Sequence, residues 1–173
     1  MTFGKEAAGL QQDIGTLFDK YQDSVFRLAL SYTRSVQDAE DICQTVFLKL
    51  LHAPGLQPGC EKAWLMQVTA NESRNLLRSF WRRKVGALDE LLEDTLPLRT
   101  TKDGELFAQV MALETKYRVV LYLYYYEGYS TAEIARMTHL SKTAVTTRLQ
   151  RARNKLKTNL EGAGYETADQ FGL

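Results

Sequence analysis

Two serine-headed helix starts, eleven residues apart, constrain this chain more than any other feature of its sequence. In Ser130-Thr131-Ala132-Glu133 the serine hydroxyl and the glutamate carboxylate are spaced to satisfy opposite orphan amides of a new helix. Tyr129 and Ile134 stand at the hydrophobic-staple positions around it. At Ser141 the pattern returns, with Leu140 and Val145 as the staple pair. A helix of about eight residues, a tight turn and a second helix make a helix-turn-helix. In the second helix Val145, Leu149, Ala152 and Leu156 share an inward stripe. Lys142, Thr143, Thr146, Thr147, Arg148, Gln150, Arg151 and Arg153 are left on a surface suited to a major groove.

Upstream, the same period continues without strand alternation. Ile14, Leu17, Phe18, Tyr21, Val25, Leu28, Ala29 and Tyr32 form one apolar stripe over residues 14–33. After a break near Ser35, Ala39, Ile42, Cys43, Val46, Phe47 and Leu50 mark a second helix, ended by the Pro54-Gly55 and Pro58-Gly59 turns. A third runs from Glu61 to Lys84 with Leu65, Val68, Leu76, Leu77 and Phe80 on its buried side. These three can share a core. Residues 85–104 lose the period, contain Gly86, Pro97 and Gly104, and are acid-rich, which reads as a tether. Beyond it Leu106, Val110 and Leu113 mark a short helix, and Arg118 to Tyr126 a longer one stopped by Gly128. The expected fold class is all-α, with two small helical domains. The N-terminal bundle of three to four helices spans 1–84, the flexible acidic linker 85–104, a four-helix domain with the helix-turn-helix 105–161, and a tail 162–173.

A formal net charge of +1 argues against a nucleic-acid binder only if the charge is evenly spread, and it is not. Arg74, Arg78, Arg82, Arg83 and Lys84 follow one another without an acid, as do Arg136, Lys142, Arg148, Arg151, Arg153, Lys155 and Lys157. Acids gather at Asp38, Glu40 and Asp41 and again between Asp89 and Glu105. Cys43 and Cys60 form no CxxC, and His52 and His139 fall in no zinc-ligand pattern, so no metal or cofactor is expected. No nucleophile-base pair or phosphate loop points to an enzyme. Neither a membrane span nor a secretory leader is visible, which places the chain in the cytoplasm without membrane insertion.

Three surfaces carry candidate chemistry. On the last helix, Lys142, Thr143, Thr146, Thr147 and Gln150 are base-edge candidates, while Arg148, Arg151 and Arg153 suit phosphates. On the third, Gln67, Asn71, Arg74, Arg78 and Arg82 fall at helical spacing with Asn75 beside them. Trp81 sits among cations there, a combination that stacks and neutralises single strands. Phe80 reads equally as core by its spacing, and Trp64 is read as a core residue. On the second helix Asp38, Asp41, Gln44 and Leu48 face outward together, and an exposed leucine beside carboxylates suits a protein contact. Asp38 also reads as the N-cap of that helix.

These motifs resemble bacterial sigma factors of the sigma-70 superfamily, extracytoplasmic-function (ECF) type, over roughly Leu17 to Leu160. Asp38-Ala39-Glu40-Asp41-Ile42-Cys43-Gln44-Thr45-Val46-Phe47-Leu48 is similar to the family's DAED-x-x-Q-x-x-F-L signature. Trp64-Leu65, Asn71, Arg74, Asn75 and Arg78 are similar to its promoter-melting helix. Arg118, Val120, Leu123, Glu127, Gly128, Glu133, Ile134, Ala135, Val145, Arg148, Leu149, Ala152 and Arg153 are similar to its minus-thirty-five domain. The resemblance implies that Asp38, Asp41, Gln44 and Leu48 bind the beta-prime clamp helices of core RNA polymerase. It implies that Asn71, Arg74, Asn75, Arg78, Trp81 and Arg82 hold melted minus-ten DNA. Lys142, Thr143, Thr146, Thr147, Arg148, Gln150 and Arg151 would read the minus-thirty-five element beside the beta flap. Family habit adds an anti-sigma factor as a partner and threads the linker toward the polymerase channel. His139 departs from the usual turn glycine and Asn75 from a common aspartate. The competing reading is a stand-alone helix-turn-helix regulator that binds its operator without polymerase.

Overall fold

The computed structural model describes residues 3–53, 56–57, 59–83 and 102–162, with side chains described for 14–53, 56–57, 59–80 and 107–162. The chain divides into two compact units, Met1–Glu90 and Leu91–Leu173. Among the described residues there are α-helices and one π-helical turn, and no strand.

The first unit is built from α1 (Phe3–Thr33), α2 (Val36–Leu51) and α3 (Glu61–Arg83), with α1 packed on both others and α2 on α3. Its core is the apolar side of each: Val25, Leu28, Ala29 and Tyr32; Ala39, Ile42, Val46, Phe47 and Leu50; Leu65, Met66 and Ala70. α1 stops where Arg34 turns left-handed at φ 58°, its amide donating back to the Leu30 carbonyl at 2.9 Å. Ser35 then heads α2, its hydroxyl accepting from the Asp38 amide at 3.2 Å. The expected cap at Asp38 is therefore corrected: Asp38 stands in the first turn, where its charge favours the helix dipole, and serine one turn earlier does the capping.

The buried side of α3 also differs from expectation. Leu65, Met66, Thr69, Ala70 and Ser73 are buried, whereas Val68, Leu76, Leu77 and Phe80 are only half-buried. The fully buried seam of α3 thus includes the small side chains at 69, 70 and 73, and the bulkier residues beyond it keep partial exposure. Phe18, expected inside, is 40% exposed and meets Phe47 edge-on at 4.8 Å. The Pro54-Gly55 turn, Pro58, most of the tether, and the tail beyond Gly162 lie outside the described residues. Gly59 has φ +87°, the backbone a glycine supplies most easily.

The second unit comprises α4 (Lys102–Ala112), α5 (Thr115–Leu121), α6 (Thr131–Thr138) and α7 (Lys142–Gly162), with Ile134, Val145, Leu149, Ala152, Leu156 and Leu160 in its core. α4 opens at Lys102, inside the stretch read as tether. The helix expected from Arg118 to Tyr126 begins earlier and changes form. It widens at Tyr122–Tyr126 into a π-helical turn, where the Glu127 amide reaches the Tyr122 carbonyl at 3.2 Å. Tyr122 and Tyr126 stack there with centroids 5.7 Å apart, and the Tyr122 hydroxyl donates to Glu127 Oε1 at 2.5 Å. Gly128, at φ +73°, turns the chain toward α6.

Arg118 is 1% exposed. Its Nη1 donates to the carbonyls of Met111 at 3.3 Å and Leu113 at 2.5 Å, and its Nη2 to Thr115 Oγ1 at 3.0 Å. A planar guanidinium thus closes the C-terminal end of α4, satisfying carbonyls that have no partner within the helix.

Candidate nucleic-acid and polymerase interfaces

The helix-turn-helix is set by its ends. Ser130 Oγ accepts from the Glu133 amide at 3.3 Å while Glu133 Oε2 accepts from the Ser130 amide at 2.8 Å, a complete capping box. α6 ends in a Schellman turn, with the Leu140 amide on the Ala135 carbonyl at 2.9 Å and the His139 amide on Arg136 at 3.4 Å. His139 takes the left-handed position at φ 55° and ψ 42°, so histidine makes the turn for which glycine is the usual residue. Ser141 then caps α7, accepting from the Ala144 amide at 3.1 Å.

On α7, Lys142, Thr143, Thr146, Thr147, Gln150 and Arg151 are exposed and Arg148 is half-buried. At about 100° per residue, Thr143, Thr146, Thr147 and Gln150 share one face, with Arg151 and Arg153 on its opposite flanks and Arg148 beyond Arg151, toward the buried side. That arrangement can present hydroxyls and an amide to base edges with a guanidinium for the phosphates on either side. Thr146 Oγ1 donates to the Lys142 carbonyl at 3.0 Å, so contact with a base requires it to exchange that bond. Arg153 Nη1 lies 3.5 Å from the Tyr125 hydroxyl. Lys155 turns elsewhere, to Glu114 at 3.1 Å and over the Tyr117 ring at 5.3 Å. Lys116 and then Lys155 hold the Glu114 carboxyl below its ordinary value.

On α2, Asp41, Gln44 and Leu48 are exposed and Asp38 is half-buried beside them. Leu48 is 57% exposed and Leu51, not singled out by the sequence, 40%. Lys49, next to this stripe, pairs with Glu72 of α3 at 2.6 Å, which leaves the stripe acidic and apolar. Cys43 lies on the inner side, its thiol pushed up by burial and then by Asp23, so it stays protonated.

On α3, Gln67, Asn71 and Arg74 form a hydrogen-bonded row. Gln67 Nε2 donates to Asn71 Oδ1 at 3.4 Å, and Arg74 Nη2 donates to the same oxygen. Asn75 and Arg78 are exposed beyond it. Trp81 and Arg82 belong to the last turn of α3, but their side chains lie outside the described residues. Sequence reasoning also passed over Tyr124, Tyr125 and Tyr126, which are 40%, 40% and 54% exposed beside the helix-turn-helix. The run Tyr-Leu-Tyr-Tyr-Tyr was the available signal, and a regular helix would have hidden more of it.

No helix among the described residues is long and apolar enough to cross a membrane.

Comparison with known proteins agrees with this layout. A family model for sigma-70 region 2 matches residues 17–83, and one for sigma-70 region 4 matches residues 104–156. The chain is 31% identical over 157 residues to the ECF RNA polymerase sigma factor SigL of Mycobacterium tuberculosis, covering 86% of this chain and 89% of that protein. It is 34% identical over 167 residues to the probable RNA polymerase sigma factor RfaY of Xanthomonas campestris pv. campestris, and 30% identical over 162 residues to the ECF sigma factor SigE of Mycolicibacterium smegmatis. It covers 42% and 63% of the lengths of those two relatives, and they cover 89% and 88% of this chain. The fold is shared with the sigma factor RpoE of Bartonella quintana, solved with the anti-sigma factor NepR, at a TM-score of 0.68 and 20% identity over 87% of this chain and 98% of that one. CnrH, solved with the cytosolic domain of CnrY, shares it at 0.59 and 24% identity over 91% and 94%. Both regions occur in order, on a helical unit with an exposed Asp41-Gln44-Leu48 stripe and on a capped helix-turn-helix, and the chain belongs to the sigma-70 family of RNA polymerase sigma factors, ECF type.

Proposed function

We propose that the protein is a promoter-specificity subunit that joins core RNA polymerase and directs initiation, with no catalysis of its own, in the cytoplasm. The first unit is region 2, spanning 1–84, and 105–161 is region 4, joined by the acidic linker 85–104. Asp38, Asp41, Gln44 and Leu48 grip the beta-prime clamp helices. The α7 face from Lys142 to Arg151 reads minus-thirty-five duplex while the unit rests on the beta flap. Asn71, Asn75, Arg78, Trp81 and Arg82 meet melted minus-ten DNA, and base extrusion costs a few kcal/mol that stacking and pocket contacts must return. Phosphodiester chemistry belongs to the polymerase. An anti-sigma factor, of the kind solved with RpoE, is a further partner.

The observation that carries this reading is the pairing, in one chain, of a complete helix-turn-helix with a second helical unit whose α2 exposes carboxylates around Leu48. The test is run-off transcription with purified core polymerase on a panel of promoters, with DNA binding measured with and without core. Initiation that requires both partners is expected. Tight, sequence-specific binding of the free protein, unchanged by core, would identify a stand-alone regulator instead.

A further inference from the structure

The Gln67-Asn71-Arg74 row constrains what Asn71 can read, and the inference drawn from it rests on the minus-ten assignment proposed above. A guanidinium carries N–H donors and no acceptor. The Asn71 atom that meets Arg74 Nη2 is therefore Oδ1, since the amide nitrogen offers only further N–H groups. Gln67, one turn earlier, donates to the same oxygen at 3.4 Å. Two donors from successive turns occupy both lone pairs of that carbonyl, and what remains to the side chain is Nδ2 with its two N–H bonds.

Arg74 is already engaged within its own helix. It is half-buried, and its Nη1 is enclosed without a hydrogen-bond partner. A buried orphan donor costs stability and calls for an explanation. Asn75 and Arg78, by contrast, are exposed on the following turn.

We infer that Arg74 is a positioning residue that locks the Asn71 amide nitrogen outward, making Asn71 a donor-only reader of an extruded minus-ten base. Such a reader favours a base edge that presents a carbonyl oxygen or ring nitrogen and rejects one that presents an amino group. An asparagine free to turn over offers donor or acceptor with similar ease and discriminates little. The fixed one leaves two donors facing each other whenever an amino group is presented.

The experiment is initiation by reconstituted holoenzyme from a promoter library randomised across the minus-ten region, using wild type, Asn71→Ala, Arg74→Met and Arg74→Lys. Core affinity and thermal unfolding are measured alongside as readouts of folding. Asn71→Ala is expected to flatten base preference at one position. Arg74→Met, similar in length and suited to burial, should reduce preference at that same position from on the order of tenfold to near unity. Other positions and core affinity should stay unchanged, and Arg74→Lys, which keeps a donor, should restore part of the preference. Full wild-type preference in Arg74→Met at the Asn71-dependent position would overturn the lock. So would an equal blunting of every position together with lowered core affinity, which would make Arg74 a purely structural residue. If Asn71→Ala alters no position, the minus-ten assignment of Asn71 itself fails, and the lock loses its function with it.

Discussion

Glu133 closes the capping box at the head of α6, and its titration makes the helix-turn-helix sensitive to acid. The Ser130 hydroxyl and then the Ser130 amide hold its carboxyl below the ordinary value, with a smaller pull from Arg136. Because the folded-state value lies below the unfolded one, this contribution is complete above about pH 4.5 and is lost as pH falls through the folded-state value. Glu133→Gln should therefore flatten the acid limb of the thermal midpoint below about pH 4.5; parallel limbs in the two proteins would rule out the linkage. Arg118 works by another route, since no water can replace its bonds to the Met111 and Leu113 carbonyls. Arg118→Ala should cost about 3 kcal/mol in urea unfolding through stranded carbonyls and lost packing. Arg118→Lys should recover less than half of that, because an ammonium cannot reproduce the planar fork. A loss under about 1 kcal/mol in Arg118→Ala would mean that the α4 end is satisfied without it.

At the scale of elements, two of the joints use non-glycine residues in left-handed backbone: Arg34 after α1 and His139 between α6 and α7. A side chain there is strained, so His139→Gly should stabilise the protein by about 0.5–1 kcal/mol after the entropy cost of glycine is subtracted. Denaturant unfolding measures it, and a destabilised variant would show that the His139 ring contributes more than its backbone strain costs. Much at this scale was legible in advance. The α6 capping box, the Ser141 cap and the inward stripe of α7 came from local spacing alone, because a cap and its amides lie within one turn. The π-helical turn was not legible. Tyr122 to Tyr126 fits a regular helix by composition, and its widening shows only in the tyrosine stack and the Tyr122–Glu127 bond, contacts about one turn apart that composition does not announce. The seam of α3 was missed for a related reason. Apolar periodicity weights Leu76, Leu77 and Phe80 by size, whereas packing buried the smaller Thr69, Ala70 and Ser73.

For the whole molecule, a net charge of +1 conceals an acidic stripe on α2 and a basic face on α7. If Arg148 and Arg153 contact phosphates beside the groove-reading face, their replacement should act through counterion release. Arg148→Ala together with Arg153→Ala should lower the slope of log K against log salt for promoter binding by holoenzyme by roughly 1 to 2, leaving thermal unfolding near wild type. An unchanged slope would remove both from the phosphate contacts. Leu48→Asp addresses the acidic stripe of α2. A charge on that exposed leucine should weaken core association about tenfold or more while free-protein stability stays within about 0.5 kcal/mol of wild type. Equal affinity in a core-binding titration would exclude the α2 stripe from the interface.

What the sequence determined by itself was the all-helical class, the order of helices, the caps that start α6 and α7, and the three polar faces. Each depends on residues within a turn or two of one another. Only the tertiary structure decided which polar groups on those faces remain available. It turned Arg118 inward onto the end of α4, tied Lys155 to Glu114 and Lys49 to Glu72, and left Leu48 and three tyrosines in water. Periodicity assigns a side chain to a face, but the partner that satisfies or buries it comes from a different turn or a different helix, and only packing brings the two together.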